Sequence, residues 1–228
     1  MLDIVTQHRQ VLERIRKAEA EYGRRPGSVT LLAVSKTKPK EDILCVINAG
    51  QTAFGESYVQ EAVEKVQQIN RDDIDWHFIG PIQSNKTRLI ADNFSWVHSV
   101  DRLKIAQRLS DQRPENEPAL NICLQVNVSN EESKSGVGLE ELPELISQVI
   151  SLPKIKLRGL MAIPAKSKFS DEQRVAFRKL AEAMKKLNVQ FSLSMDTLSM
   201  GMSNDLEAAI AEGATIVRVG SDIFGVRN

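Results

Sequence analysis

Cysteine is scarce: the chain has two, Cys45 and Cys123, far apart and in no CxxC pair. That argues against a cysteine metal centre and a disulfide scaffold, and it fits a free-thiol protein of the cytoplasm. Charge bias is also missing, because 30 Lys and Arg balance 30 Asp and Glu. A neutral chain gives no electrostatic reason to expect nucleic acid or an anionic membrane as partner. No apolar run approaches the roughly 20 residues of a membrane span. The start, MLDIVTQHRQ, lacks the basic-then-apolar order of a secretory signal. Low-complexity segments and long linkers are absent, and no GxGxxG turn follows the first strand-like run. Aromatics make up only 5%, with two tyrosines, Tyr22 and Tyr58.

What is present is a 42% hydrophobic chain of 228 residues, enough for a sizeable core. Its apolar segments alternate between strand and helix length. Helical spacing covers 2–22, with Ile4, Val11, Leu12, Ile15 and Ala18 on one face, and stops at Gly23 before Pro26. Eight strand-like runs follow: TLLAVSK, TAFGES, WHFIG, WVHSV, NICLQVNVS, LRGLMAI, TLSMG and TIVRVGS. Helical patterns separate them at 41–49, 59–69, 85–91, 102–112, 139–151, 171–187 and 205–211. Several runs are apolar on both faces, as in a parallel sheet covered by helices. The pattern predicts an α/β fold, a single (β/α)8 TIM barrel over 1–228 with an extra N-terminal helix; a doubly wound open sheet is the rival.

Barrel sites lie at the C-terminal strand ends. Lys36 ends the first run; partial burial there would favour a neutral amine able to attack a carbonyl. A lysine at a strand end also simply snorkels to solvent. Ser203, Gly220 and Ser221 lie after runs seven and eight, the usual phosphate position of this fold. Ordinary capping is the alternative: Ser203 or Asn204 with Glu207 could form a capping box. Arg218 shares the inward parity of Ile216 and Gly220 and needs a partner, either a ligand or a carboxylate such as Glu56. A Schiff-base lysine, a phosphate cup and an interior cation together suggest pyridoxal 5′-phosphate (PLP). A sugar-phosphate aldolase would use the same lysine and cup, but has no evident use for Arg218.

The stretches LLAVSKTKP, FGESYVQEA, WHFIGPIQSNK, ESKSGVGL, RGLMAIP, DTLSMGMSND and IVRVGSDIFG resemble the pyridoxal-phosphate homeostasis proteins, small relatives of the alanine racemase N-terminal barrel. The resemblance implies a racemase-like barrel with PLP as an internal aldimine on Lys36. It implies phosphate contacts at Ser203, Gly220 and Ser221, and ring-nitrogen contact at Arg218. His77, Asn85, Met161 and Met200 fall in matching motifs near the pocket, although packing between Trp76 and Phe78 would also account for His77. Ser57 replaces the asparagine usual in FGEN, and Ser221 replaces a frequent threonine. No catalytic residue and no metal is implied. The role implied is vitamin B6 homeostasis and amino- and keto-acid balance without robust catalysis, with possible transient delivery to PLP enzymes.

A PLP-dependent racemase is the alternative. Against it, the sequence leaves little length after the eighth run for the second domain that completes a racemase pocket. An arginine at the ring nitrogen also weakens the ring as an electron sink. Tyr58 is expected to pack on a helix face, His8 to lie on the surface, His98 to serve strand packing, and Lys134 to be a loop lysine. A monomer is expected.

Overall fold

The computed structural model describes residues 3–129, 135–165 and 170–225. Helix α1 (Ile4–Glu21) starts at Asp3, whose carboxylate accepts from the Thr6 N–H at 3.0 Å, and it closes as Gly23 turns at φ +62°. Eight strands follow: β1 (Thr30–Val34), β2 (Ala53–Glu56), β3 (Asp75–Phe78), β4 (Trp96–Val100), β5 (Leu120–Val126), β6 (Ile155–Ala162), β7 (Thr197–Ser199) and β8 (Ile216–Val219). Each pairs in parallel with the next, and β8 returns to β1 in the register Thr30↔Ile216 to Ala33↔Val219. The sheet is closed, so the open-sheet rival is excluded.

Helices α2 (Lys40–Asn48), α3 (Val59–Ile69), α4 (Thr87–Asn93), α5 (Leu103–Gln112), α6 (Leu142–Val149), α7 (Ser170–Phe191) and α8 (Leu206–Ala211) follow strands β1 to β7 in turn. A short α9 (Ser221–Phe224) follows β8; it was not expected, being only one turn long. Several strands are shorter than their apolar runs. The ladder of β1 with β2 stops at Val34↔Gly55, so Lys36 lies beyond the strand, in a turn.

Alternation along the strands makes two cores. Leu31, Phe54, Trp76, Phe78, Val97, Leu124, Leu160 and Val217 face outward into one cluster shared with the helices. Inside, Leu32, Ala53 and Ile216 form a small second cluster with Ile79. The interior also holds His77, His98, Ser199 and Arg218, where a barrel usually carries branched aliphatics. That polarity marks where the fold departs from pure packing. Among the described residues, no helix is long and apolar enough to cross a membrane.

Candidate functional site

Lys36 is half-buried in the turn after β1. Both of its neighbours are tied down. Ser35 is buried and its N–H donates to the Gly55 carbonyl at 3.0 Å. Its hydroxyl donates to Oε1 of Glu56 at 2.7 Å. Thr37 has φ +65°, rare for a β-branched residue, and its N–H donates to Glu61 at 2.6 Å. Glu56 thus faces the helix layer and pairs with Lys65 at 2.8 Å. Arg218 does not use it, which corrects the ion pair considered from sequence. Burial pushes the Glu56 carboxyl up, against the pull of Lys65.

Arg218 is buried, and burial lowers its pKa to about 10. Nη1 donates to the Ser199 carbonyl at 2.6 Å and the Ser199 hydroxyl at 2.8 Å, and Nη2 donates to the Ala162 carbonyl at 3.0 Å. Three of its five N–H donors are therefore taken, and no carboxylate pairs with it among the described residues. The Ser199 hydroxyl also meets Nδ1 of His98 at 2.7 Å, and Nε2 of His98 meets Nδ1 of His77 at 2.8 Å. Arg218 donates to the Ser199 hydroxyl, and the tautomers of His98 and His77 set which atoms donate along the rest of the chain. These contacts link β8 to β3 across the barrel interior. Burial holds His77 near a pKa of about 3, and burial with His77 and Arg218 nearby holds His98 well below the ordinary range. Both rings are neutral at pH 7, and His77 stacks on Trp96 with centroids 5.3 Å apart.

The loops after β7 and β8 converge. The hydroxyls of Ser203 and Ser221 lie 3.1 Å apart. The cap of α8 is Asp205, not Ser203 or Asn204, and its carboxylate accepts from the Met202 N–H at 2.6 Å. Nor does Glu207 complete a capping box; it receives Nε of Arg14 at 2.9 Å. Arg14, on α1, also donates to the Ser203 carbonyl at 3.0 Å and to Asp222 at 2.6 Å. One guanidinium therefore joins both loops to the first helix. Gly220 stands against β1: a Cβ there would be 3.1 Å from the Val34 carbonyl oxygen. The turn bearing Lys36 begins just past Val34, so lysine and hydroxyl pair share one end of the barrel.

The remaining sequence candidates scatter. Ser57 is half-buried just past β2. Met161 and Met200 are fully buried, and Met200 belongs to the cluster shared with the helices. Asn85 is exposed on a 3-10 turn, Ser84–Lys86. His8 is buried and bonded to Gln51 at 3.0 Å, rather than on the surface. Tyr58 is 51% exposed, so it does not pack on a helix face. Lys134 lies outside the described residues. Sequence reasoning missed His98, Arg14 and the Lys65–Glu61 pair. The available signal was Glu56 itself, a carboxylate inside an apolar strand that needs a cation.

A sequence profile of the alanine racemase N-terminal domain matches residues 9–228. A pyridoxal phosphate homeostasis protein of Pseudomonas aeruginosa is 57% identical over 96% of this chain and 94% of its own length. One of Escherichia coli is 51% identical over 100% of this chain and 98% of its own. Among solved structures, PipY of Synechococcus elongatus with PLP bound is 36% identical, with a TM-score of 0.81 over 92% of this chain and 100% of PipY. With that profile match and relatives above half identity, this chain belongs to the pyridoxal phosphate homeostasis proteins, within the alanine racemase N-terminal domain family.

Proposed function

We propose that this chain binds PLP through a Schiff base on Lys36 and keeps it for vitamin B6 homeostasis, without robust catalysis. The observation that carries the reading is Arg218. It is a buried guanidinium bonded only to neutral acceptors, with two N–H donors left over among the described residues. A buried cation held that way suits a ligand acceptor such as an unprotonated ring nitrogen. The donor set fits the rest of the molecule: an amine on a fixed turn for the aldehyde, and the Ser203 and Ser221 hydroxyls beside Gly220 for the phosphate. The cofactor supplies an aldehyde that condenses with an amine, releasing one water.

The residues around the site bind and orient rather than move protons. His77 and His98 are neutral and enclosed. Tyr22 packs beside Arg174, and Tyr58 points into solvent, so neither tyrosine is placed as a base. On this reading 1–228 acts as one cytoplasmic, monomeric cofactor-binding barrel. It supports amino- and keto-acid balance by holding PLP and passing it transiently to PLP enzymes. The motif resemblance adds Ser57, His77, Asn85, Met161 and Met200 to the proposed pocket; of these, Met200 is packed in the cluster shared with the helices and Asn85 is exposed.

The test is spectroscopic. Protein incubated with PLP should turn yellow, with a visible Schiff-base band, and should not racemise L- or D-alanine at an enzymic rate. A colourless protein would overturn the PLP reading. Rapid racemisation would replace the carrier with a racemase.

A further inference from the structure

The turn that carries Lys36 is braced from outside the barrel by three residues with no other evident task. Lys65, on α3, is buried, and its Nζ donates to the Ser35 carbonyl at 2.8 Å, to Glu56 Oε1 at 2.8 Å and to Glu61 Oε1 at 2.5 Å. All three ammonium protons are thereby used. Glu61 Oε1 also accepts the Thr37 N–H at 2.6 Å. Glu56 is fully buried; its Oε1 holds the Ser35 hydroxyl and Lys65, while its Oε2 has no partner among the described residues. Lys38 N–H closes the turn onto the Ser35 carbonyl at 3.0 Å.

Such an arrangement is expensive to build. It encloses two charges and leaves one buried carboxylate oxygen unbonded, which destabilises a fold unless something is gained. It also holds Thr37 at φ +65°, where turns usually place glycine. A strained residue of this kind persists only when its surroundings over-determine it, and such strain clusters at functional sites. Here the over-determined residues, Ser35 and Thr37, flank Lys36 on both sides.

We propose that Glu61, Lys65 and Glu56 are positioning residues for Lys36, fixing the turn so that its amine leaves the backbone toward the barrel mouth. The proposal rests on the reading that Lys36 condenses with the PLP aldehyde. Alignment of an attacking amine governs the rate of condensation, whereas the ring and phosphate contacts lie elsewhere in the site. Loss of the brace should therefore slow Schiff-base formation and leave non-covalent binding alone.

The variants are Glu61→Ala, which removes the acceptor for Thr37, and Glu61→Gln, which keeps an oxygen there. Glu61 is partly exposed, so both should fold, which thermal melting checks. Two readouts follow: stopped-flow absorbance of the Schiff-base band with PLP, and calorimetric affinity for pyridoxine 5′-phosphate, which has an alcohol in place of the aldehyde. Glu61→Ala should slow band formation by about tenfold to a hundredfold, with pyridoxine 5′-phosphate affinity unchanged, and Glu61→Gln should restore most of the rate. An unaltered rate in Glu61→Ala would overturn the brace while leaving the Schiff base intact. A parallel loss of rate and analogue affinity would reduce the brace to general stabilisation and also overturn it. Absence of any band in the unsubstituted protein would overturn the Schiff-base reading and the brace together.

Discussion

Arg14 in α1 and Asp222 in α9 are 208 positions apart in sequence, yet Nη1 and Oδ2 lie 2.6 Å apart. The same guanidinium reaches Glu207 and the Ser203 carbonyl. The first helix, outside the repeating β-then-α pattern, thus fastens the two loops that carry Ser203 and Ser221. Arg14→Ala should weaken PLP binding by loosening both loops at once. The pairs are partly exposed, so each contributes at most about 1 kcal/mol to stability. Losing all of them should lower affinity by about 1 kcal/mol, roughly fivefold. Calorimetric titration with PLP checks this, and an unchanged Kd would refute it.

The His77–His98 pair makes stability depend on pH. Both rings are neutral in the folded protein, with His77 near a pKa of about 3 and His98 also well below the ordinary range. The unfolded chain takes up those protons near pH 6.5. Below that pH the unfolded state binds more protons than the folded one, so stability falls as pH drops from 6.5 toward 3. The slope reaches at most about 1.4 kcal/mol per pH unit per histidine. Burial pushes the Glu56 and Asp205 carboxyls up, and they act in the opposite sense. The comparison is therefore urea unfolding of the unsubstituted protein against His77→Leu/His98→Leu between pH 7.5 and 5. The doubly substituted protein should lose less stability on acidification, whatever its absolute value. Parallel curves would refute the neutral-pair assignment.

Arg218→Gln separates binding from folding. The guanidinium is buried and, among the described residues, bonds only to neutral acceptors, so its desolvation offsets much of what those bonds contribute to stability. The cofactor-free variant should melt close to the unsubstituted protein. Its affinity for PLP should fall by about 1.5–3 kcal/mol, the range for a hydrogen bond to a charged group. Unaltered retention of PLP would remove Arg218 from the site.

Gly80, two residues past β3, cannot carry a side chain. A Cβ there would lie 2.1 Å from the carbonyl oxygen of Ser57, and this neighbour is backbone that cannot rotate away. Gly80→Ala should cost about 1–3 kcal/mol in unfolding free energy and displace Ser57 from the mouth. An unchanged midpoint in denaturant would contradict that contact.

Much of this was legible in the sequence. Eight apolar runs gave the barrel, and strand-end reasoning put Lys36, Ser203, Gly220 and Ser221 at one end. The ends themselves were overrun, because TLLAVSK stays strand-like after its ladder stops at Val34. Ser203 was open to a capping role because three residues in SND can all cap; contacts from Met202 and Arg14 decided for Asp205. His98 read as packing because its partner Ser199 is 101 positions away. Arg14 and Lys65 sit among charged helix neighbours, so nothing local distinguished them from solvated lysines and arginines.

Protein loaded with PLP should be reduced with borohydride, digested and mapped by mass spectrometry. One reduced pyridoxyl adduct is expected, on Lys36, with neither band nor adduct in Lys36→Ala. An adduct at another lysine, or a persistent band in Lys36→Ala, would contradict the Schiff base on Lys36.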